Sequence, residues 1–304
     1  MEAVCPGAWL LNYTNPMAML TGYLLRYTGV KTVGLCHSFQ VCVPSLMGRL
    51  GRYTPEWERY QYKIAGINHM AWLLELKDQW GNDLYPELKR MAIEKNHRET
   101  HDDMVRFDYI EKFGYYCTES SEHNAEYNPF YIKAGREDLI EKYNIPLDEY
   151  PRRCVEQMEK WDRQWQELTG GGPISHERTG EYASRIMEAM VTNVPYKIGG
   201  NVLNHGVIPN LPWEACVEVP CLVDANGVTP TYVGELPLQL AAMNASNIYP
   251  QLLTIEAAHT HSREKVYQAA MLDPHTGAQL STDEIVELCD ELIQAHTEAG
   301  YPVL

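Results

Sequence analysis

Four polar residues stand where strand-like runs give way to turns: Asn15, Cys36, His37 and His69. In parallel α/β sheets ligands collect at the carboxyl ends of the strands, in the turns that open helices. Two such turns follow closely here, one carrying Asn15 and one carrying Cys36-His37. A cysteine with histidines can bind a borderline divalent ion, and a site with few protein ligands leaves positions open for substrate oxygens. Taken singly, each residue has a plainer account. Asn15 reads as a helix cap, Cys36 as a buried thiol at a strand end, and a Cys-His pair on a strand as neighbours pointing to opposite faces. His97 and His101 flank a polar loop, while His259 and His261 lie two apart on a helix and so on different faces; surface positions are expected for all four.

The elements that must position these residues begin with two strand-turn-helix units. Residues 8–12 form a short apolar run, and residues 17–27 repeat apolar side chains at helical spacing, with Asn15 as cap and Pro16 in the first helical position. A β-rich run at 31–35 follows, then the turn Cys36-His37-Ser38 and a second amphipathic helix over 39–50. Two such units in succession predict a parallel sheet. Residues 60–64 and 70–75 read as strands flanking a turn at 65–69, a hairpin or bent pair. Helices are predicted over 84–94, 103–114, 146–168 and 181–192, and strands over 197–203 and 215–223. The stretch 117–131 shows no periodicity. From 236 to 299 the pattern is helical, broken at Asp273-Pro274 and capped afresh at Ser281.

Composition narrows the class. The 304 residues are 45% hydrophobic and 22% charged, enough for one large core or two smaller ones. A formal charge of −16 disfavours nucleic acid as a partner. Mean hydropathy is −0.37 and no apolar run approaches the ~20 residues of a membrane span, so no membrane partner is expected. The first residues show no secretory signal, and the eight cysteines lack CxxC spacing; reduced thiols in a cytoplasmic protein are expected, most of them buried.

Several ordered strings resemble the family 4 glycosidases, most closely their α-galactosidase branch. They are Leu11-Asn-Tyr-Thr-Asn-Pro-Met-Ala-Met19, Val33-Gly-Leu-Cys-His-Ser38, Ala65-Gly-Ile-Asn-His-Met70, Thr118-Glu-Ser-Ser-Glu-His123, Gly135-Arg-Glu-Asp-Leu-Ile140, Cys216-Val-Glu-Val-Pro220, Leu222-Val-Asp-Ala-Asn-Gly227 and Ala270-Met-Leu-Asp-Pro-His-Thr276. The resemblance spans nearly the whole chain. It implies a Rossmann-type parallel sheet followed by a lactate/malate-dehydrogenase-like substrate domain, divided as residues 1–55 and 56–304. It also implies hydrolysis of α-galactosides with NAD and Mn²⁺: oxidation at sugar C3, removal of the C2 proton, elimination of the glycosidic oxygen, addition of water and return of the hydride. Such NAD-dependent enzymes stand outside the usual two-carboxylate scheme. By the resemblance, Cys36 and His69 are metal ligands, His37 protonates the leaving oxygen, and Asn15 binds sugar hydroxyls. The C2 base is open among Glu119, Ser120 and Tyr127, and homodimers or tetramers are the family's habit.

One departure stands at the front. A dinucleotide site needs a glycine-rich turn after a strand. No GxGxxG or close variant occurs; Gly170-Gly-Gly172 follows a helix and Gly199-Gly200 lies within a predicted strand. The expectation is therefore a fragment that keeps metal and substrate residues and lacks the NAD half, with no cofactor-binding residue assignable. Two other readings stand beside it: a malate- or lactate-type dehydrogenase, disfavoured because no arginine clamp for a carboxylate sits in the site turns, and a non-catalytic remnant acting as an interaction module.

Overall fold

The structure, a computed structural model, describes residues 1–173 and 180–302. The two leading units form as read: β1 (Trp9–Asn12), α1 (Met17–Tyr27), β2 (Lys31–Gly34) and α2 (His37–Arg49), with β1 and β2 parallel. Two boundaries differ from expectation. Pro16 is the cap of α1 in extended conformation and Met17 its first helical residue, while the Asn15 carboxamide oxygen accepts the Met17 N–H at 3.2 Å. Helix α2 starts two residues earlier than predicted, with Cys36 at the cap and His37 in the first turn; no side chain caps this end.

Residues 61–77 make a hairpin of β3 (Gln61–Ile67) and β4 (Met70–Lys77), so the turn is Asn68-His69 rather than the broader 65–69. Its strands are covered on both sides. Ala65, Ile67, Met70 and Trp72 enter one core cluster, whereas Ile64, Ala71 and Leu73 enter the other, the two-residue alternation of a pleated strand; past the register shift at Lys63/Ile64, Leu76 joins this second cluster too. The second cluster is closed by α2, α3 (Tyr85–Arg98) and α4 (Met104–Phe113), whose Gly114 ends the helix at φ 85°. The stretch without periodicity contains β5 (Tyr116–Cys117) and α5 (Ser121–Glu126), both too short to show a period. Then come α6 (Glu137–Lys142), α7 (Glu149–Thr169) and α8 (Ala183–Thr192).

The strands β6 (Tyr196–Leu203) and β7 (Cys216–Asp224) pair antiparallel, and β8 (Gly227–Pro230) adds a short partner to β7. The eight strands of the described residues join one mixed sheet in the order β1-β2-β6-β7-β3-β4-β5, with β8 off this path beside β7, and among them β1 and β2 alone pair parallel. The junction between parallel and antiparallel parts is the pair Gly34–Asn201. A Cβ on Gly34 would come within 2.8 Å of the Asn201 Cβ and closer to Met17 and Thr21, so only glycine permits this approach. Helices α9 (Leu238–Thr260), α10 (Arg263–Leu272), α11 (Thr276–Gln279) and α12 (Thr282–Glu298) complete the chain, α12 opening on a Ser281–Glu284 capping box.

Six cysteines are buried, Cys5 and Cys154 are exposed, and all eight are free. His97 and His259 are exposed as expected, but His261 ends α9 at φ 54° instead of lying within it. His101 is not a surface residue: its ring packs on Phe107 at 4.9 Å and Nδ1 accepts the Asp103 N–H. No helix among the described residues is long and apolar enough to cross a membrane.

Candidate active site

Cys36 follows β2 at the start of α2, where Phe39 lies flat on Gly199 of β6 and holds the helix end against the sheet. Its thiol is buried, 3.1 Å from the Ser38 hydroxyl, and burial followed by the neighbouring Glu218 pushes it up to about 12. His69 occupies the β3–β4 turn at φ 64° and Glu119 follows β5 at φ 63°. A non-glycine residue in the left-handed region costs about 1–2 kcal/mol, so two such residues facing one another mark a place where side-chain chemistry outweighs backbone ease.

The three side chains meet. Cys36, His69 and Glu119 each present one donor atom within 4.8 Å of the others, and Glu119 Oε2 lies 3.4 Å from His69 Nε2. The other ring nitrogen, Nδ1, is 2.9 Å from the Tyr127 hydroxyl, which fixes the ring with Nε2 toward the cluster. Burial lowers the His69 pKa, Glu119 works against that and His123 adds to it, so the imidazole is held neutral, the form that ligates metal. His123 stacks on His69 with ring centroids 5.9 Å apart; its own pKa is raised, first by the Glu126 hydrogen bond at 2.8 Å and then by Glu149. Sulfur, imidazole and carboxylate in one pocket are a donor set suited to a borderline divalent cation.

His69 also lines a cavity of about 110 Å³ together with Asn15, Asn68, Tyr127, Asn247 and Gln251. Among the described residues that line it there is no lysine or arginine. Asn15, after β1, and His69, after β3, thus line one cavity, while Cys36, after β2, meets His69 in the donor cluster. His37, next to Cys36, is not among the cavity-lining residues; its Nε2 lies 2.9 Å from both carboxylate oxygens of Glu181 and its ring stacks on Tyr13 at 5.2 Å. Of the three residues considered as a base, Ser120 spends its hydroxyl as the cap of α5, accepting the His123 N–H. Tyr127 lines the cavity and its phenol pKa is raised by burial and Glu119, while Glu119 belongs to the donor cluster.

Residues not singled out in the sequence lie beneath. Glu218 of β7 is fully buried; burial raises its pKa to about 8 against the pull of the Asn201 and Asn68 amides. The Asn201 Nδ2 donates to Glu218 Oε1 at 2.9 Å, while Glu218 Oε2, Asn201 Oδ1 and Asn244 Oδ1 have no partner among the described residues. The available signal was a lone carboxylate in the apolar run Cys-Val-Glu-Val-Pro, where a buried charge is costly.

Comparison with known proteins places the chain. Residues 1–51 match Family 4 glycosyl hydrolase, and residues 64–276 match the Family 4 glycosyl hydrolase C-terminal domain. The chain belongs to glycosyl hydrolase family 4. It is 58% identical over 296 residues to an α-galactosidase of Bacillus subtilis, covering 97% of this chain and 67% of that protein. It is also 32% identical to an α-galactosidase of Rhizobium meliloti, covering 98% and 61%. The chain therefore spans about two thirds of the length of these curated relatives. A putative glucosidase of Bacillus subtilis has the same fold with a TM-score of 0.83 at 24% identity, over 96% of this chain and 70% of that one. So does a 6-phospho-α-glucosidase from gut microorganisms solved with NAD and Mn²⁺, with a TM-score of 0.78 at 22% identity, over 100% and 69%.

Proposed function

We propose that this chain carries the metal and sugar site of an α-galactosidase that cleaves its substrate by NAD- and Mn²⁺-dependent oxidation and elimination. The supporting observation is the Cys36, His69 and Glu119 donor cluster, whose His69 also lines a cavity furnished with amides and a phenol. Amide and phenol groups suit the hydroxyls of a neutral sugar, and a lining without lysine or arginine offers no counter-charge for a sugar phosphate. The names of the two α-galactosidase relatives agree with a galactoside.

In this reading Cys36 and His69 hold a divalent cation, joined by Glu119 as a third protein donor. When bound, such a cation supplies Lewis acidity to substrate oxygens and steadies negative charge that develops beside them. Asn15 orients the sugar through its carboxamide NH₂, since its oxygen is engaged by the Met17 N–H. Tyr127 accepts the C2 proton: with His69 Nε2 turned to the cluster, Nδ1 carries a hydrogen and donates it to the phenol oxygen at 2.9 Å, which opposes the rise that burial and Glu119 impose on the phenol. His37, held by Glu181, gives a proton to the leaving oxygen. The chain contains no glycine-rich turn after a strand, so its residues do not form the usual dinucleotide cradle, and every role assigned to them concerns the metal or the sugar. A division into residues 1–55 and 56–304, a cytoplasmic location and a homo-oligomeric state complete the proposal.

The test joins the chain to the remaining segment of a family 4 relative, so that an NAD site is present, and uses p-nitrophenyl α-galactoside deuterated at C2 with Mn²⁺ and NAD⁺ added. Release of nitrophenol that requires Mn²⁺, disappears in Cys36→Ser and proceeds with loss of the label to water is expected. Release with the label retained, or undiminished in the presence of EDTA, overturns the reading.

A further inference from the structure

Helix α9 sends Leu240, Ala241, Met243 and Ile248 into the core. Asn244, Asn247 and Gln251 interrupt this apolar pattern at spacings of three and four, which puts three carboxamides on one face of the helix. The first two are spent on the chain itself. Asn244 Nδ2 donates to the carbonyl of Met70, next to His69, at 2.8 Å, and Asn247 Nδ2 reaches the carbonyl of Tyr127 at 3.4 Å. The helix comes this close because Gly66 has no side chain: a Cβ there would stand 3.1 Å from Asn244 Oδ1. Gln251 differs. It is half-buried and lines the cavity with Asn247, His69 and Tyr127, yet its carboxamide has no hydrogen-bond partner among the described residues. A polar group partly withdrawn from water, with no partner in the chain, is placed for a ligand.

We infer that Gln251 is a specificity-determining residue that binds the C6 hydroxyl of the galactosyl ring. The assignment rests on the metal and sugar reading of the site, in which Tyr127 takes the C2 proton. The spacing along α9 sets the place. Asn247 holds the Tyr127 segment, and Gln251, four residues on, lies about 6 Å farther along the helix axis, a step that crosses a pyranose ring. Across the ring from C2 is C5, which carries the hydroxymethyl group; C4 adjoins C3, on the side where the chemistry occurs. A carboxamide both donates and accepts, as a primary alcohol does. It brings no charge to hold a carboxylate or a phosphate at that carbon. Gln251 therefore favours a free hydroxymethyl group over a 6-deoxy, 6-phosphate or uronate form.

Ligand-observed NMR titrations of the whole Mn²⁺-loaded chain with methyl α-galactoside and its 6-deoxy analogue test this. The parent should bind the galactoside roughly 5–10-fold more tightly, and Gln251→Ala should bring that ratio to about 1 by weakening the galactoside alone. Because Gln251 holds nothing in the chain, Mn²⁺ affinity and the unfolding midpoint should stay at the parent values, so a disturbed fold cannot imitate the result. Methyl α-glucoside, the C4 epimer, fixes the position: a galactoside-to-glucoside ratio that collapses in Gln251→Ala, with the 6-deoxy ratio intact, overturns C6 as the atom read. Equal binding of the two galactosides by the parent, or a preference that survives Gln251→Ala, overturns the proposal. A parent chain that binds neither galactoside in the presence of Mn²⁺ contradicts the reading of the site itself, and the assignment falls with it.

Discussion

Two polar clusters lie inside this protein, and they are finished differently. Around Asp103, the carboxylate is fully engaged. Its carboxylate accepts from Arg106 Nε, the Ser121 hydroxyl and the Tyr116 hydroxyl, with Arg49 at 3.3 Å. Burial alone would raise the Asp103 pKa, but the Arg106 guanidinium, its hydrogen bond and Arg49 outweigh it and hold the carboxyl below its ordinary value. Around Glu218, the opposite holds: among the described residues no cation faces it, burial wins, the carboxyl rises to about 8, and polar atoms of Glu218, Asn201 and Asn244 are left without partners. The first cluster neutralises its carboxylate in the folded chain and fastens α4 to β5. The second lies close enough to Cys36 to raise its pKa. Unfilled hydrogen-bonding capacity near a set of metal donors is what distinguishes a site from a strut.

Breaking the closed cluster should cost the most. Arg106→Met leaves Asp103 buried without its main cation, and a loss of about 3–5 kcal/mol in urea unfolding is expected. A loss below ~1 kcal/mol would show that the cluster contributes little.

Changing the open cluster should act through pH. Glu218 has its folded pKa raised from 4.5 to about 8. The folded state therefore binds the proton more tightly, and this contribution is full below pH 4.5 and falls as pH rises to about 8, where it levels off. In the metal-free chain Glu218→Gln should remove that decline and gain up to a few kcal/mol at pH 8.5 relative to the parent. Parallel pH profiles for the two proteins would contradict this.

Tyr127→Phe removes the partner of His69 Nδ1 and should weaken Mn²⁺ binding roughly 10–100-fold with little change in unfolding midpoint. Equal affinities in titration calorimetry would sever Tyr127 from the ring's orientation. The smallest expected change is at Asn15. Alanine there loses the acceptor for the Met17 N–H and costs about 1 kcal/mol, while Asn15→Asp keeps the acceptor and leaves stability unchanged.

The two leading βα units were legible because a β-rich run gives way to apolar residues at helical spacing, with Pro16 opening the first helix and Gly51 following the second. The start of α2 was not. Its cap is Cys36, a residue outside the good capping types, with no side-chain cap bond, so rules based on serine, threonine and aspartate set the start too late. The displacement matters, because it moves Cys36-His37 from a free turn to a helix entrance, with Cys36 at the cap and His37 in the first turn. Asn15, Cys36 and His69 could be named from the sequence through ordered motifs. Glu119 was named only as a base, since nothing in the run Cys-Thr-Glu-Ser tells that its backbone turns left-handed and swings the carboxylate to His69. Glu218 and Asn201 were invisible for a different reason. Both faces of β6 and β7 are covered, so alternation, the usual guide to which side chains point inward, is lost.

The proposed function stands or falls with Cys36, His69 and Glu119 acting as one metal centre. Cobalt is the direct probe: Co²⁺ titrated into the whole chain should bind one equivalent and give a thiolate-to-metal charge-transfer band that is absent in Cys36→Ser and displaced in Glu119→Gln. A Cys36→Ser protein that binds Co²⁺ as tightly as the parent and shows the same band would contradict it.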